Sequence, residues 1–233
     1  MTDWNNTILQ CLQLDPAKTR FQVWPVGEVP ESVKRSFDEL PADAYLDAPR
    51  AYRFRSYGCG EVEDGRFSYL GAPPFIQDPR YNVFKGGVHR TFGPLSSQVK
   101  RYLETTLLKK IFLPILPPAP GYDVGIHQIR VIAGPSLVGL PAPEGVHQDG
   151  FDFVSILMVG VENGMGAKCM LYDLQDNERI VLEATIPENT LFIFNDRTYK
   201  HYTTALTPMR SGPARRDVFI FTISRRMLHG QAV

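Results

Sequence analysis

From Tyr122 to Ser224 the chain is cut into short apolar segments separated by turn residues. They run Gly125 to Ala133, Phe151 to Val159, Lys168 to Leu174, Arg179 to Ala184, Thr190 to Phe194 and Asp217 to Ser224. Segments this short and rich in Val, Ile and Phe are strands, and a strand buries its apolar face only when another folds back on it. Their spacing predicts an antiparallel sandwich or jelly roll. The first part of the chain reads differently. Asp3 can cap a short amphipathic helix over residues 3–13, and Pro30 to Leu40 has Pro at its start and acids in its first turn. Val99, Leu103, Leu107 and Ile111 recur every four residues in a helix from Ser96 to about Ile115, which Pro117-Pro118-Ala119-Pro120 ends. Val23 to Val29 suits an edge strand because of Pro25, and Ala51 to Gly58 a strand with Arg53 and Arg55 on a solvated face. Glu63-Asp64-Gly65 turns into Arg66 to Leu70 as a hairpin. Gly71 to Pro94, dense in Pro, Gly and aromatics, is an ordered loop across one mouth. The expectation is a mostly β fold with flanking α, a cupin-like jelly roll with N-terminal helices outside. One domain spans 1–233, with a helical and mixed part over 1–120 and the core carrying the site over 121–233.

Charge and cysteine usage narrow the function. With 25 basic and 25 acidic residues in 233, no global field recruits nucleic acid or an anionic membrane. No stretch nears the roughly 20 apolar residues of a membrane span. Met1-Thr2-Asp3-Trp4 shows no basic-then-apolar leader, and Cys11, Cys59 and Cys169 are too few and scattered for a disulfide frame. These features predict a cytoplasmic protein whose partner is a small molecule, not nucleic acid or membrane.

The chemistry centres on Pro141 to Gly150, ahead of an apolar strand. His147 and Asp149 stand two positions apart, so an extended chain points both to one side. A second His from a strand folding back would complete a set of three, and His201, beyond the apolar run at Leu191, is the candidate. Two His and a carboxylate with adjacent open positions is the ligand set of non-haem Fe(II) oxygenases. A zinc hydrolase or a structural site uses the same residue types. An anion clamp favours iron. In the last strand Arg216, Val218, Ile220, Thr222 and Ser224 share one face, and a guanidinium with a hydroxyl on an apolar face grips a dicarboxylate. Arg215 and Arg210 are the alternative cations, and Arg216's strand is expected beside that bearing His201.

Pro143-Glu-Gly-Val-His-Gln-Asp-Gly-Phe-Asp-Phe153, Asp196-Arg-Thr-Tyr-Lys-His201 and Arg216-Asp-Val-Phe-Ile220 resemble the bacterial 2-oxoglutarate/Fe(II)-dependent dioxygenases that hydroxylate free amino acids (L-isoleucine dioxygenase-like). The likeness extends to Tyr52 to Arg55, Gln77, Tyr81-Asn82, Gly87 to Arg90 and Gln128 to Arg130, and departs at Gly164 to Lys168. The resemblance implies a double-stranded β-helix, Fe(II) on His147, Asp149 and His201, and 2-oxoglutarate and O2 as cosubstrates. The products it implies are succinate, CO2 and an oxidised substrate.

For the cosubstrate, Arg216, Gln128 and Thr222 are the candidates. For the substrate, Arg130, on the face of Gln128, offers a cation for the carboxylate, with Arg53, Arg55 and Arg90 as others. Asp152 reads as a partner of the ammonium or as a residue orienting a ligand, and Phe151 as a pocket wall or a core aromatic. His127 alternates away from Gln128 and reads as core or surface. His89 and His229 are not assigned. Desaturation, cyclisation or sulfoxidation on the same scaffold, and a non-enzymatic cupin-type binding module, are the alternatives to hydroxylation.

Overall fold

The computed structural model describes residues 21–46, 51–82, 85–112, 116, 119–176 and 178–226. The helix expected over 3–13, Cys11 and His229 lie outside them. Strand β1 (Phe21–Pro25) runs along a sheet edge, where a strand tolerates proline. Helix α1 (Glu31–Arg35) starts after Pro30 and tightens into a 3₁₀ turn over Ser36–Glu39. Strands β2 (Arg53–Glu63) and β3 (Arg66–Gly71) form the expected hairpin, with Asp64 and Gly65 both at positive φ (48° and 70°), as a tight hairpin turn requires. After the short β4 (Gly93–Pro94), Ser96 caps α2 (Ser97–Tyr102) by accepting from the Val99 N–H. The helix is α only to Tyr102 and takes the wider π form over Leu103–Phe112. There the Thr105 hydroxyl donates to the Arg101 carbonyl at 2.6 Å, competing with the backbone ladder.

The remaining strands are β5 (Gly121–Ala133), β6 (Phe153–Glu162), β7 (Gly164–Gly166), β8 (Cys169–Asp173), β9 (Ile180–Ala184), β10 (Thr190–Asn195), β11 (Tyr199–Thr203), β12 (Leu206–Pro208) and β13 (Ala214–Arg225). The larger sheet has the order β1-β10-β6-β13-β5-β2-β3, with β4 beside β2; a smaller sheet has the order β11-β8-β9, and β12 pairs with β7. Every pairing is antiparallel except that of β2 with β4. One face of the larger sheet packs Phe219, Phe221, Leu157 and Ile126 against Val33, Phe37, Val99 and Leu103 of the helices. The other face packs Val154, Ile156, Val131 and Val218 against Leu171, Leu182 and Tyr199 of the smaller sheet and its surroundings. This is the mostly β jelly roll with helices outside that the strand pattern predicts. No helix among the described residues is long and apolar enough to cross a membrane.

Several details differ from expectation. The larger sheet draws β1 to β4 from before residue 120, pairing β1 on β10 and β2 on β5. Strands β7, β11 and β12 carry too few aliphatic residues to show as apolar runs. His201 therefore sits on a strand of its own, paired with β8 and not with the strand of Arg216, which lies between β5 and β6. Strand β6 begins at Phe153, because Phe151 and Asp152 belong to the turn before it. Arg53 and Arg55 are buried and not on a solvated face.

Phe219 fills the layer between sheet and helices, fully buried and edge-on to Phe37 at 5.2 Å. Phe219→Ala should lower unfolding stability by about 3–5 kcal/mol, as measured by denaturant titration.

Candidate metal centre

His147 and His201 are drawn together by the backbone. The His147 N–H donates to the His201 carbonyl at 3.0 Å and the His201 N–H donates back at 2.7 Å, an isolated antiparallel bridge that closes the smaller sheet over the motif. Asp149 lies between the two imidazoles, with one oxygen 3.6 Å from His147 Nε2 and the other 3.5 Å from His201 Nε2. Donor atoms of all three residues lie within 4.8 Å of one another. The Nδ1 of His147 is 2.8 Å from the Gly145 carbonyl, which can only accept. Nδ1 therefore keeps its proton, and Nε2 is the nitrogen left to face a metal.

Burial alone would lower the pKa of His147. Asp149, Glu144 (3.4 Å from Nε2) and the Gly145 carbonyl outweigh it and push the pKa up to about 9. Burial works against ionisation of Asp149 too, but the His147 hydrogen bond and the charges of both imidazoles hold its carboxyl well below the usual range.

The turn carrying Asp149 is held by Asp196, which stands just past β10. Its buried carboxylate accepts the N–H groups of Asp149 (3.1 Å), Gly150 (2.7 Å) and Phe151 (3.0 Å), and one of its oxygens is 3.6 Å from His201 Nδ1. Gly150 has φ +89°, and a Cβ there would stand 2.5 Å from the Tyr81 ring, so only glycine fits. From the covering loop, Gln77 donates through Nε2 to Asp149 at 2.8 Å while its Oε1 accepts from Asn82 and Arg90. Gln77 and Asp196 both fall in stretches that carry the family resemblance, but the sequence assigns neither a role. Asp196 lies 47 residues from Asp149 in the chain, and no local pattern links them.

The triad opens on a cavity of about 90 Å³ floored by β13, β5 and β2. Arg216, Val218, Ile220 and Thr222 line it from β13, and His127, Ile129 and Val131 from β5. Arg216 is buried, and its Nε and Nη2 have no hydrogen-bond partner among the described residues. Burial pulls its pKa down to about 10, so it remains a cation at neutral pH.

Other candidates lie elsewhere. Since alternation turns His127 inward, it turns Gln128 and Arg130 outward. Gln128 donates to Ser36 Oγ at 2.8 Å, away from the cavity. Arg130 grips both oxygens of Asp217 at 2.7 Å and also pairs with Asp38, on the helical face. Asp152 is committed to Arg197 Nε (2.6 Å) and the Arg225 N–H (2.7 Å). Phe151 packs beside Tyr57, Phe75 and Phe92 and faces a neighbouring groove. Arg215 pairs with Glu162 at the surface, and His89 and Arg210 are exposed. In their place the cavity is lined by Arg55, Arg90, His127 and Glu144.

The model of a protein family described as 2OG-Fe dioxygenase matches residues 34–222. The chain belongs to that family. Its members use Fe(II), 2-oxoglutarate and O2, which decides between the iron and zinc readings, and His147, Asp149 and His201 fit the iron site. Among solved structures, a bsmA homologue from Methylobium petroleophilum PM1 aligns with a TM-score of 0.74 at 23% identity, over 95% of this chain and 97% of that one. IDO from Bacillus thuringiensis aligns with a TM-score of 0.64 at 16% identity, over 84% and 82%. The Fe(II)/α-ketoglutarate-dependent dioxygenase TqaL aligns with a TM-score of 0.61 at 15% identity, over 92% and 86%. At these identities the three show a shared fold. A search of curated protein sequences finds no match.

Removing the Asp196 carboxylate strands three N–H groups of the metal turn. Asp196→Ala should weaken Co(II) or Fe(II) binding to this dioxygenase by roughly ten- to a hundredfold in anaerobic calorimetry. Because metal must displace the His147 proton, affinity should rise about tenfold per pH unit between roughly pH 7 and 9. The metal-free fold should behave oppositely. A histidine whose folded pKa, about 9, exceeds its unfolded value stabilises fully below about pH 6.5. That contribution is lost as pH rises through 9, which unfolding midpoints measured across the range should show.

Proposed function

We propose that this dioxygenase hydroxylates a small free amino acid or a similar metabolite in the cytoplasm, consuming 2-oxoglutarate and O2 and releasing succinate and CO2. The observation that carries the reading is Arg216, a buried cation with two nitrogens unpaired among the described residues, lining the same cavity as the metal triad. A buried guanidinium without a counter-ion is costly in the fold and suits an anionic ligand of matching shape. Its assigned role is to hold the distal carboxylate of 2-oxoglutarate, with Thr222 on the same face offering a hydroxyl. When bound, iron and 2-oxoglutarate supply the oxidising chemistry. The chain supplies two imidazoles and a carboxylate to hold the metal, Gln77 and Asp196 to orient Asp149, and an enclosed wall of Val154, Ile156, Val218 and Ile220 to exclude water. Glu144, a cavity carboxylate outside the triad, is assigned the substrate ammonium in this reading. The small cavity favours a metabolite over a macromolecule.

The test is anaerobic mixing with Fe(II) and 2-oxoglutarate, which should give a visible charge-transfer band. Admitting O2 with each common amino acid in turn should then yield succinate and a product heavier by one oxygen atom. Absence of both band and succinate would sink the reading. A mass loss of two hydrogens would instead point to desaturation or ring closure. Asp149→Ala should abolish iron retention, whereas Arg216→Ala should raise the half-saturating 2-oxoglutarate concentration by roughly ten- to a hundredfold.

A further inference from the structure

Strands β13, β5 and β2 lie side by side, and their register tiles the cavity floor in rows. Arg216 lies level with Val131 and Arg53, Val218 with Ile129 and Arg55, and Ile220 with His127 and Tyr57. Cations therefore stand on the two outer strands, with apolar residues between them. Arg216 and the β2 arginines are rooted two strands apart, roughly 10 Å at the backbone.

The two β2 arginines differ in their partners. Arg53 is neutralised by buried Asp43, with both Nε and Nη2 2.9 Å from one carboxylate oxygen. Arg55 has no carboxylate within ion-pair distance among the described residues. It donates through Nη2 to His127 Nδ1 at 2.7 Å, its guanidinium lies 4.3 Å from the Phe92 ring centre and 5.3 Å from that of Phe75, and its Nε is buried without a partner. Arg90 comes from the covering loop and lies 4.8 Å from the Phe75 ring centre. It donates to the neutral amide oxygen of Gln77 at 2.6 Å, and its Nε is likewise buried and unpaired. The two side chains, 7% and 4% exposed, bring two cations to one phenyl ring with no carboxylate on either. Aromatic faces and amides solvate such charges only in part, and an anion completes them.

His127 adds a directed donor. A guanidinium has no lone pair to offer, so the contact with Arg55 makes Nδ1 the acceptor. Nε2 then carries the hydrogen. Burial, with Arg55 next in weight, holds the imidazole well below its usual pKa, consistent with this neutral tautomer. The ring is stacked on Tyr57 and edge-on to Phe75, both at 4.6 Å, so its direction is set by packing.

We infer that Arg55, Arg90 and the Nε2–H of His127 form a second anion site in the cavity, separate from Arg216, that takes the carboxylate of the substrate. Its meaning as a substrate site rests on the oxygenase reading; its capacity to bind a carboxylate does not. A free carboxylate is then a requirement, and amides, esters and internal residues of peptides are excluded. The cavity carboxylates Glu144 and Asp149 stand beside His147 Nε2 and act on Arg55 and Arg90 only through longer-range attraction, with no ion pair to either among the described residues.

The first test needs neither iron nor cosubstrate. The full chain carrying Arg216→Met, which removes the other unpaired guanidinium, is heated with increasing sodium propionate, and with propionamide as its uncharged match, at constant ionic strength. Propionate should raise Tm saturably and propionamide should not. Adding Arg55→Met should raise the half-saturating propionate concentration at least about tenfold, with Arg55→Lys recovering part of the loss. Arg90→Met gives the same readout should Arg55→Met fail to fold. Equal responses to both compounds, or a propionate response that survives both substitutions, overturns the site.

The second test uses the iron-loaded enzyme and offers each amino acid beside its α-carboxamide. For any acid that supports succinate formation, the amide should need at least about tenfold higher concentration. An amide that serves equally well overturns the substrate assignment. If no compound yields succinate, the oxygenase reading falls while the propionate result still decides whether the anion site exists.

Discussion

The site depends on one buried carboxylate outside the ligand set. Asp196 accepts three consecutive N–H groups from the turn carrying Asp149 and stands beside the imidazole of His201. Consecutive N–H groups converge on one anion only when the backbone is sharply bent, and Gly150 at positive φ supplies the bend. The turn is thereby tied to the segment between β10 and β11, and the same segment delivers His201. With the reciprocal bridge between His147 and His201, this closes a loop of constraints in which each ligand's position follows from backbone bonds to the others.

Around that frame the charges follow a division of labour. On the helical face of the larger sheet, Arg130 meets Asp217 and Asp38, and the cation is satisfied within the fold. On the cavity side, Arg216 and Arg55, with Arg90 from the covering loop, have buried nitrogens with no partner among the described residues. The residue type is the same, yet Arg130 is satisfied within the fold whereas Arg216, Arg55 and Arg90 keep unmet binding capacity. Unpaired buried cations of this kind cost the unliganded fold and are tolerated at sites that anions complete. Gln77 links the two functions of the cavity, donating to the metal carboxylate and accepting from Arg90.

Much of the architecture was legible. Short apolar runs marked the strands, Asp64-Gly65 marked the hairpin, and Pro25 marked the edge, because each reflects a local conformational limit. Strand β11 was not legible: Tyr199 to Thr203 alternates in burial but carries no aliphatic residue, so it looks like loop. Which of the two readings of Asp152 applies was hidden for a related reason. The residue follows the motif closely, but its carboxylate is consumed by Arg197 and the Arg225 backbone, both far along the chain.

What the sequence determined by itself was the strand-rich fold and the iron ligands: residues two apart in an extended chain share a side whatever surrounds them, and the second histidine had few rivals. What only the tertiary structure decided was which side of β5 and β2 is inside. Period-two alternation sorts Gln128 and Arg130 from His127, and Arg53 and Arg55 from Tyr52 and Phe54, but carries no sign. That sign is set when the helices cover one face of the larger sheet and the smaller sheet covers the other. Only then do Arg55 and His127 become the lining of a cavity, and Gln128 and Arg130 part of the scaffold behind it.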